Sequence, residues 1–450
     1  MLRQRGILSR DLIKRPDFEH QSESQKGNEQ PLACDPLVIG GGRTRSRPKI
    51  DIFEDCRLIS ICVVFPGEFA DGVGGNLNCI SIATLVSRPL KILIACGGTG
   101  GHLFPGIAVA EALRKRGHQV VLLISEKKVD AEASAKYQHL DFKTIPAVAK
   151  PPTLSVKMIP FLWKMWGSVR HCKQVIREFQ ADAVLGMGGF TSLPPVYAGH
   201  KLGLKTFIHD SNARPGRANV LTSRFCTKVF LGVDVARAYF PDRDTTVTGT
   251  PVRPEIANLP SLEEAAAEFG MESGLATIVV TGGSQGAKRL NELCALAADH
   301  LPATTQVLHI AGANDFQRVS EIVQGRPNYH VVGFCDKMPA AYAIADLVIA
   351  RSGASSLTEI ATAGHPSILV PYPYAADDHQ TRNADVFAEI GAAVLVQEKA
   401  LDPELLASLA TSILQDLPTY KRMAKAARQL AVPDAADRIC VAIEATLTST

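Results

Sequence analysis

Lys91-Ile-Leu-Ile-Ala95, followed by Cys96-Gly-Gly-Thr-Gly-Gly-His-Leu-Phe-Pro-Gly106, is the stretch that decides the fold. A short apolar run ended by glycines reads as a buried strand. The glycines permit a tight turn with positive φ and a close approach of backbone to a ligand. Phe104–Arg116 then has the length of a helix, whose free first N–H groups suit an anion. Strand, glycine loop and helix together open a parallel α/β sheet. A dinucleotide-binding fold is the competing reading, with Glu126 as the ribose-binding acid at the end of the second strand. Its G-x-G-x-x-G pattern fails, because Leu103 stands where the third glycine belongs.

Outward from this unit the same texture repeats. Val120–Ile124, Ala183–Leu185, Thr206–Ile208, Lys228–Leu231 and Thr246–Thr248 read as strands, with a helix over Phe161–Phe179. After Pro251 the pattern restarts with strands at Thr277–Val280, Val307–Ile310, His330–Val332, Leu347–Ala350, Ser367–Val370 and Ala393–Val396. Helices are expected at Ser284–His300, Ala340–Ala345 and Ser355–Ala363. Short buried strands alternating with helices predict parallel sheets covered on both faces. Two series predict two Rossmann-like domains, 89–250 and 251–450, facing each other across a cleft. The linker lies near Gly249-Thr-Pro-Val-Arg-Pro254, where two prolines exclude helix. Ligands are expected beyond the carboxyl ends of the strands.

Three further loops have the composition of a binding site. Gly282-Gly-Ser-Gln-Gly286 repeats the strand, glycine loop and helix device, and a Walker A loop cannot be laid on Gly282–Arg289. Arg351-Ser-Gly-Ala-Ser-Ser-Leu-Thr-Glu359 opens a helix with Glu359 a turn and a half inside it. That carboxylate can bond both hydroxyls of a ribose or simply serve the helix dipole. Pro371-Tyr-Pro-Tyr-Ala-Ala-Asp-Asp-His-Gln-Thr-Arg-Asn383 is dense in side chains that can hold sugar hydroxyls. Asp242-Arg-Asp244 resembles a manganese-binding pair but reads as a solvated turn.

Composition sets bounds on function. The 450 residues predict two or three domains, and 46% hydrophobic residues suffice for ordinary cores. Ten cysteines without a C-x-x-C pair read as reduced thiols, with neither disulfide framework nor zinc site. No run reaches the length of a spanning helix. Residues 91–250 carry 22 basic and 11 acidic side chains, and 251–450 carry 14 and 23, giving net charges of +11 and −9. The basic half suits an anionic partner. Residues 1–88 lack a sustained period and read as a poorly structured extension. They are expected to be dispensable, with translation starting instead at a non-ATG codon encoding Val86 or Leu90; the alternative is an appendage that tethers the enzyme through Arg43, Arg45, Arg47 and Lys49.

The loops, in this order, resemble the MurG family of N-acetylglucosaminyltransferases. The matching segments are Gly-Gly-Thr-Gly-Gly-His (97–102), Gly-Met-Gly-Gly-Phe (186–190), His-Asp-Ser-Asn (209–212), Gly-Thr-Pro-Val-Arg (249–253), Gly-Gly-Ser-Gln-Gly-Ala (282–287), Arg-Ser-Gly-Ala (351–354) with Glu359, and His-Gln…Asn-Ala (379–384). The resemblance implies a GT-B fold and an inverting transfer from UDP-N-acetylglucosamine to the muramoyl sugar of an undecaprenyl-diphosphate-linked muramoyl-pentapeptide. No cofactor or metal is expected. By the same resemblance Thr99, Gly100, Gly101, Asn212, Arg253, Ser284, Ala354, Ser355, Ser356, Leu357, Thr358, Glu359 and Gln380 fall on donor-site positions, with His379 beside Gln380. The backbone of Cys335 would lie by the uracil. His102 is the expected general base, because imidazole titrates near working pH, and Asp210 is its rival. Two positions depart from the family, which usually has glutamate at Asp210 and often tyrosine at Phe190. Other acceptors such as diacylglycerol, or an idle nucleotide-sugar-binding protein, are the alternatives.

A lipid-linked acceptor requires access to a bilayer. Lys157-Met-Ile-Pro-Phe-Leu-Trp-Lys-Met-Trp-Gly-Ser-Val-Arg170 holds both tryptophans of the chain, with Lys150 and Lys173 nearby. Aromatics among basic residues suit an anionic membrane surface; the competing reading buries them in a core helix. The expected setting is therefore peripheral, on the cytoplasmic face of the cell membrane, and nucleic acid is not an expected partner.

Overall fold

The computed structural model describes residues 88–126, 135–145, 158–283 and 286–448. The expectations for residues 1–87, and for Lys150, Lys157 and Ser284, fall outside these. Seven strands form the first sheet: β1 (Lys91–Ala95), β2 (Gln119–Ser125), β3 (Asp141–Ile145), β4 (Ala183–Gly186), β5 (Lys205–Asp210), β6 (Lys228–Leu231) and β7 (Thr245–Val247). Their order is β3-β2-β1-β4-β5-β6-β7 and every pairing is parallel. Six strands form the second: β8 (Ala276–Thr281), β9 (Thr305–Ile310), β10 (Tyr329–Val332), β11 (Leu347–Ala350), β12 (Ser367–Leu369) and β13 (Ala393–Leu395). Their order is β10-β9-β8-β11-β12-β13, again all parallel. Both sheets belong to one compact unit.

The central strands are apolar on both faces because helices cover both. Ile92, Ile94 and Leu122 pack in one layer of the first lobe while Leu93, Ala95 and Leu123 pack in the opposite one. The second sheet divides likewise, with Val279 and Leu308 on one side and Ile278 and Val280 on the other. The strand order of each sheet reverses once, between β1 and β4 and between β8 and β11, and open α/β sheets take their ligands at the carboxyl ends beside such a reversal.

The C-terminus departs from the expected division. The last helix, Ala435–Thr448, was expected with the second domain. Its Ile439, Cys440 and Ile443 instead join Leu90, Ile107 and Leu113 in the first lobe's core. Glu444 on that helix accepts hydrogen bonds from Arg116 and lies 2.7 Å from His118 Nε2. The chain therefore crosses between the lobes twice.

Candidate functional site

The glycine loop after β1 leads into the helix Gly100–Lys115. Thr99 is exposed and caps that helix with no side-chain bond, and its first turn carries no acid. The helix start thus lacks a side-chain cap and a first-turn acid, which suits an anion, while His102 N donates to Thr99 O at 3.1 Å. His102 sits on this first turn, and its ring lies over the Gly188–Gly189 turn that follows β4. A Cβ on Gly188 would stand 2.9 Å from the His102 ring, and φ there is +114°. Glycine at this position is therefore what lets the imidazole settle against the loop. Gly188 also approaches Asn219, whose Oδ1 accepts from Gly189 N at 3.0 Å.

Asp210, at the end of β5, is almost fully buried. Its Oδ1 accepts from the backbone and side-chain nitrogens of Asn212 at 2.8 and 3.2 Å. Its Oδ2 accepts from Gly216 N at 3.2 Å and Asn219 Nδ2 at 2.7 Å. Four donors on one carboxylate make it a brace for residues 211–219. Beside it His209 places Nε2 2.9 Å from Gly249 O, and burial pushes its pKa down. His209 thus ties the end of β5 to the linker, and Asn219 joins Asp210 to the turn under His102.

In the second lobe Gly282–Gly286 follows β8. Gly286 has φ of +70° and donates N–H to Gly283 O at 3.0 Å, closing the turn before the helix Lys288–Ala297. After β11 comes the helix Ala354–Ala363. Ala354, Ser355 and Ser356 are half-buried on its first turn, whereas the side chain of Leu357 is core. Thr358 returns its hydroxyl to Ala354 O at 2.8 Å. Glu359 takes Arg253 Nη2 on Oε1 and Tyr342 Oη on Oε2, each at 3.1 Å. Arg253 lies 4.5 Å over the ring of Phe104 from the first lobe. Gln380 Oε1 accepts from Tyr372 N at 2.9 Å, and His379 Nδ1 lies 2.8 Å from Ala376 O. Cys335 follows β10, and burial pushes its thiol up to about 11.

The lobes are hydrogen-bonded at the site itself. Ser355 Oγ donates to Gly101 O at 3.2 Å. Asn383 accepts from Ala213 N at 2.8 Å and donates to Asn212 Oδ1 and Ser352 O, each at 3.1 Å. Arg217 pairs with Asp377, which has φ of +54° beside Asp378 at +55°. Of these, Asn383 lay inside a motif already singled out, and Arg217 and Tyr342 gave no sequence signal. Asp244 pairs with Lys228 at 3.0 Å, as a solvated turn would. Among the described residues no group of three His, Cys, Asp or Glu side chains could hold a metal ion.

The helix Met158–Phe179 buries Ser168, Cys172, Val175 and Ile176 and turns both tryptophans outward. Trp163 is 70% and Trp166 59% exposed, packed edge to face with ring centroids 6.3 Å apart. Arg170 lies 5.7 Å over Trp166. The core-helix reading of these tryptophans is overturned. Among the described residues no helix is long and apolar enough to cross a membrane.

Comparison with known proteins matches residues 92–231 to the glycosyltransferase family 28 N-terminal domain and residues 277–439 to its C-terminal domain. The UDP-N-acetylglucosamine–N-acetylmuramyl-(pentapeptide) pyrophosphoryl-undecaprenol N-acetylglucosamine transferase of Trichormus variabilis is 37% identical over 360 residues, covering 80% of this chain and 98% of that protein. The transferase of the same description from Halothermothrix orenii is 33% identical, covering 79% of this chain and 99% of its own length. Among solved structures, Acinetobacter baumannii MurG superposes with a TM-score of 0.63 at 30% identity, covering 79% of this chain and 99% of that one. A UDP-GlcNAc 2-epimerase from Neisseria meningitidis, at 16% identity and a TM-score of 0.59, shares the fold alone.

Proposed function

The chain belongs to the MurG family of glycosyltransferases, and from that premise we propose that it transfers N-acetylglucosamine from UDP-N-acetylglucosamine to the muramoyl sugar of undecaprenyl-linked lipid I, giving lipid II with inversion. The observation that carries the proposal is the meeting of the two loops. The first turn of the helix Ala354–Ala363, where the donor is expected, is hydrogen-bonded through Ser355 to Gly101 of the loop that carries His102. That contact supports a donor site and a candidate base on one crevice.

The acceptor hydroxyl attacks the anomeric carbon from the face opposite UDP, forming the new glycosidic bond as the bond to the diphosphate breaks. His102 takes the hydroxyl proton, and UDP leaves with its charge increased. The helix N-termini after β1 and β8, with Arg253, would stabilise that charge. Asp210 acts at one remove, by bracing Asn212 and Asn219. Glu359 takes the ribose hydroxyls, and Gln380 and His379 serve the sugar.

The exposed Trp163 and Trp166, with Lys164 and Arg170, are the surface offered to an anionic bilayer, which would seat the protein peripherally on the cytoplasmic face of the membrane. One assay tests the reaction: UDP-N-acetylglucosamine and a lipid I analogue are incubated with the protein and scored for the disaccharide lipid. The disaccharide lipid is the expected product. Transfer to diacylglycerol in its place, or tight UDP-N-acetylglucosamine binding without transfer, would overturn the proposal.

A further inference from the structure

We propose that Tyr342 is a positioning residue for the donor: its hydroxyl and the Arg253 guanidinium together fix the Glu359 carboxylate as a two-point acceptor for vicinal ribose hydroxyls. The inference rests on Glu359 being the ribose-binding acid. Tyr342 belongs to the helix Met338–Ile344, whose Ala340, Ala341, Ala343 and Ile344 are all buried and apolar. At 1% exposure its ring fills the core beside them, near-parallel to the His365 ring at 6.4 Å. Phenylalanine would serve that packing equally well. A buried hydroxyl is unfavourable unless it finds a partner, and this one donates to Glu359 Oε2 at 3.1 Å.

The carboxylate geometry gives that hydroxyl its use. An ionised carboxylate offers about four lone-pair sites, two on each oxygen. Arg253 occupies one site on Oε1 and Tyr342 one on Oε2. Each oxygen therefore keeps one site for an incoming hydroxyl. The terminal torsion of a glutamate is broad when nothing holds it. With a donor on each oxygen that torsion is set before the ligand arrives, so less ordering remains to be done on binding. Burial, with Glu359 adding to it, pushes the phenol well above its usual pKa, so it remains a donor.

The test is Tyr342→Phe in the full-length protein, with Glu359→Ala alongside. UDP and 2′-deoxy-UDP are compared as competitors of UDP-N-acetylglucosamine, with thermal melting as a control for folding. In the wild type UDP binds more tightly than its 2′-deoxy form, and Glu359→Ala removes that preference. Tyr342→Phe is expected to melt near the wild type, raise KM for the donor by about tenfold, leave the loss on KM rather than kcat, and shrink the preference by a similar factor. If Tyr342→Phe keeps the preference while Glu359→Ala abolishes it, Tyr342 only packs and the proposal falls. If Glu359→Ala itself keeps the preference, the ribose reading of Glu359 falls and takes the proposal with it. A Tyr342→Phe protein that melts far below the wild type makes the hydroxyl a folding element, which also overturns a positioning role.

Discussion

His102 and Asp210 are both candidate bases by residue type, and their surroundings differ. The His102 ring lies against the Gly188–Gly189 turn at the crevice. Asp210 is buried under four donors. Removing a general base lowers turnover by about 10²–10⁴-fold, so His102→Ala should lose kcat in that range and melt near the wild type. Asp210→Asn keeps the shape but turns an amide toward two of the four donors, whichever way it flips. Each buried donor left unpaired costs about 1–3 kcal/mol, so this variant should melt well below the wild type. Steady-state kinetics beside a melting curve for both proteins decides the matter. An Asp210→Asn protein that melts normally and loses turnover a hundredfold (on the order of a lost base) would return the proton to Asp210. The sequence could name both residues because motifs record identity. It could not assign roles to them, because the four bonds come from residues up to nine positions away.

Among the elements, the helix Gly100–Lys115 carries Pro105 inside it. Proline has no N–H, so Gly101 O loses its donor four residues on. Ser355 supplies the replacement from the other lobe. A helix defect in one lobe thus becomes a contact between the two. Ser355→Ala should lower stability by about 0.5–1.5 kcal/mol, the worth of one neutral bond. In a Pro105→Ala background, where an N–H is again available to Gly101 O, the same change should cost less. Equal costs in both backgrounds, measured as a double-mutant cycle by denaturant titration, would mean that the Ser355 bond does not stand in for the donor missing at Pro105. The helix Met158–Phe179 allows a second test. Changing Lys164, Arg170 and Arg177 to Glu should weaken binding to vesicles rich in anionic lipid, at about 1 kcal/mol per cation near the surface, and spare donor binding. Unchanged vesicle sedimentation would remove the patch from the membrane. Strands with continuous apolar runs were legible in the sequence because both of their faces are buried. Asp141–Ile145 was not, since only Ile145 of its five residues is buried at the sheet's edge. The helices Pro403–Gln415 and Leu417–Gln429 went unread as well, for want of a glycine loop to mark them.

At the scale of the whole molecule, the division into two lobes follows from the restart of the strand pattern after Pro251, but the return of Ala435–Thr448 to the first lobe does not. That helix is apolar on one face, and nothing in a periodicity says which sheet the face covers; Arg116 and His118, over 300 residues away, identify it. Buried histidines likewise tie the lobes' stability to pH. His309 lies inside the second sheet with Nδ1 2.8 Å from Tyr329 Oη and Nε2 3.1 Å from Asn291 Oδ1. Burial pushes its pKa down to about 3, while Asp315 acts upward and Arg318 downward. Burial lowers His209 and His330 as well. The sign follows from which state binds protons. Below the unfolded value of about 6.5 the unfolded chain takes up protons that the folded one refuses, so stability falls as pH falls. For His309 the loss begins near that pH and continues down to about 3, at about 1.4 kcal/mol per pH unit once the unfolded histidine is fully protonated. Carboxylates in the unfolded chain titrate near about 4, so the interval from about pH 6.5 to 5 belongs mainly to histidine. In that interval the wild type should lose stability on acidification, and His309→Gln should lose about one proton's worth less slope. Denaturant midpoints across the interval measure it. Parallel slopes for the two proteins would mean that His309 is protonated in the folded sheet, contrary to its burial between Tyr329 and Asn291.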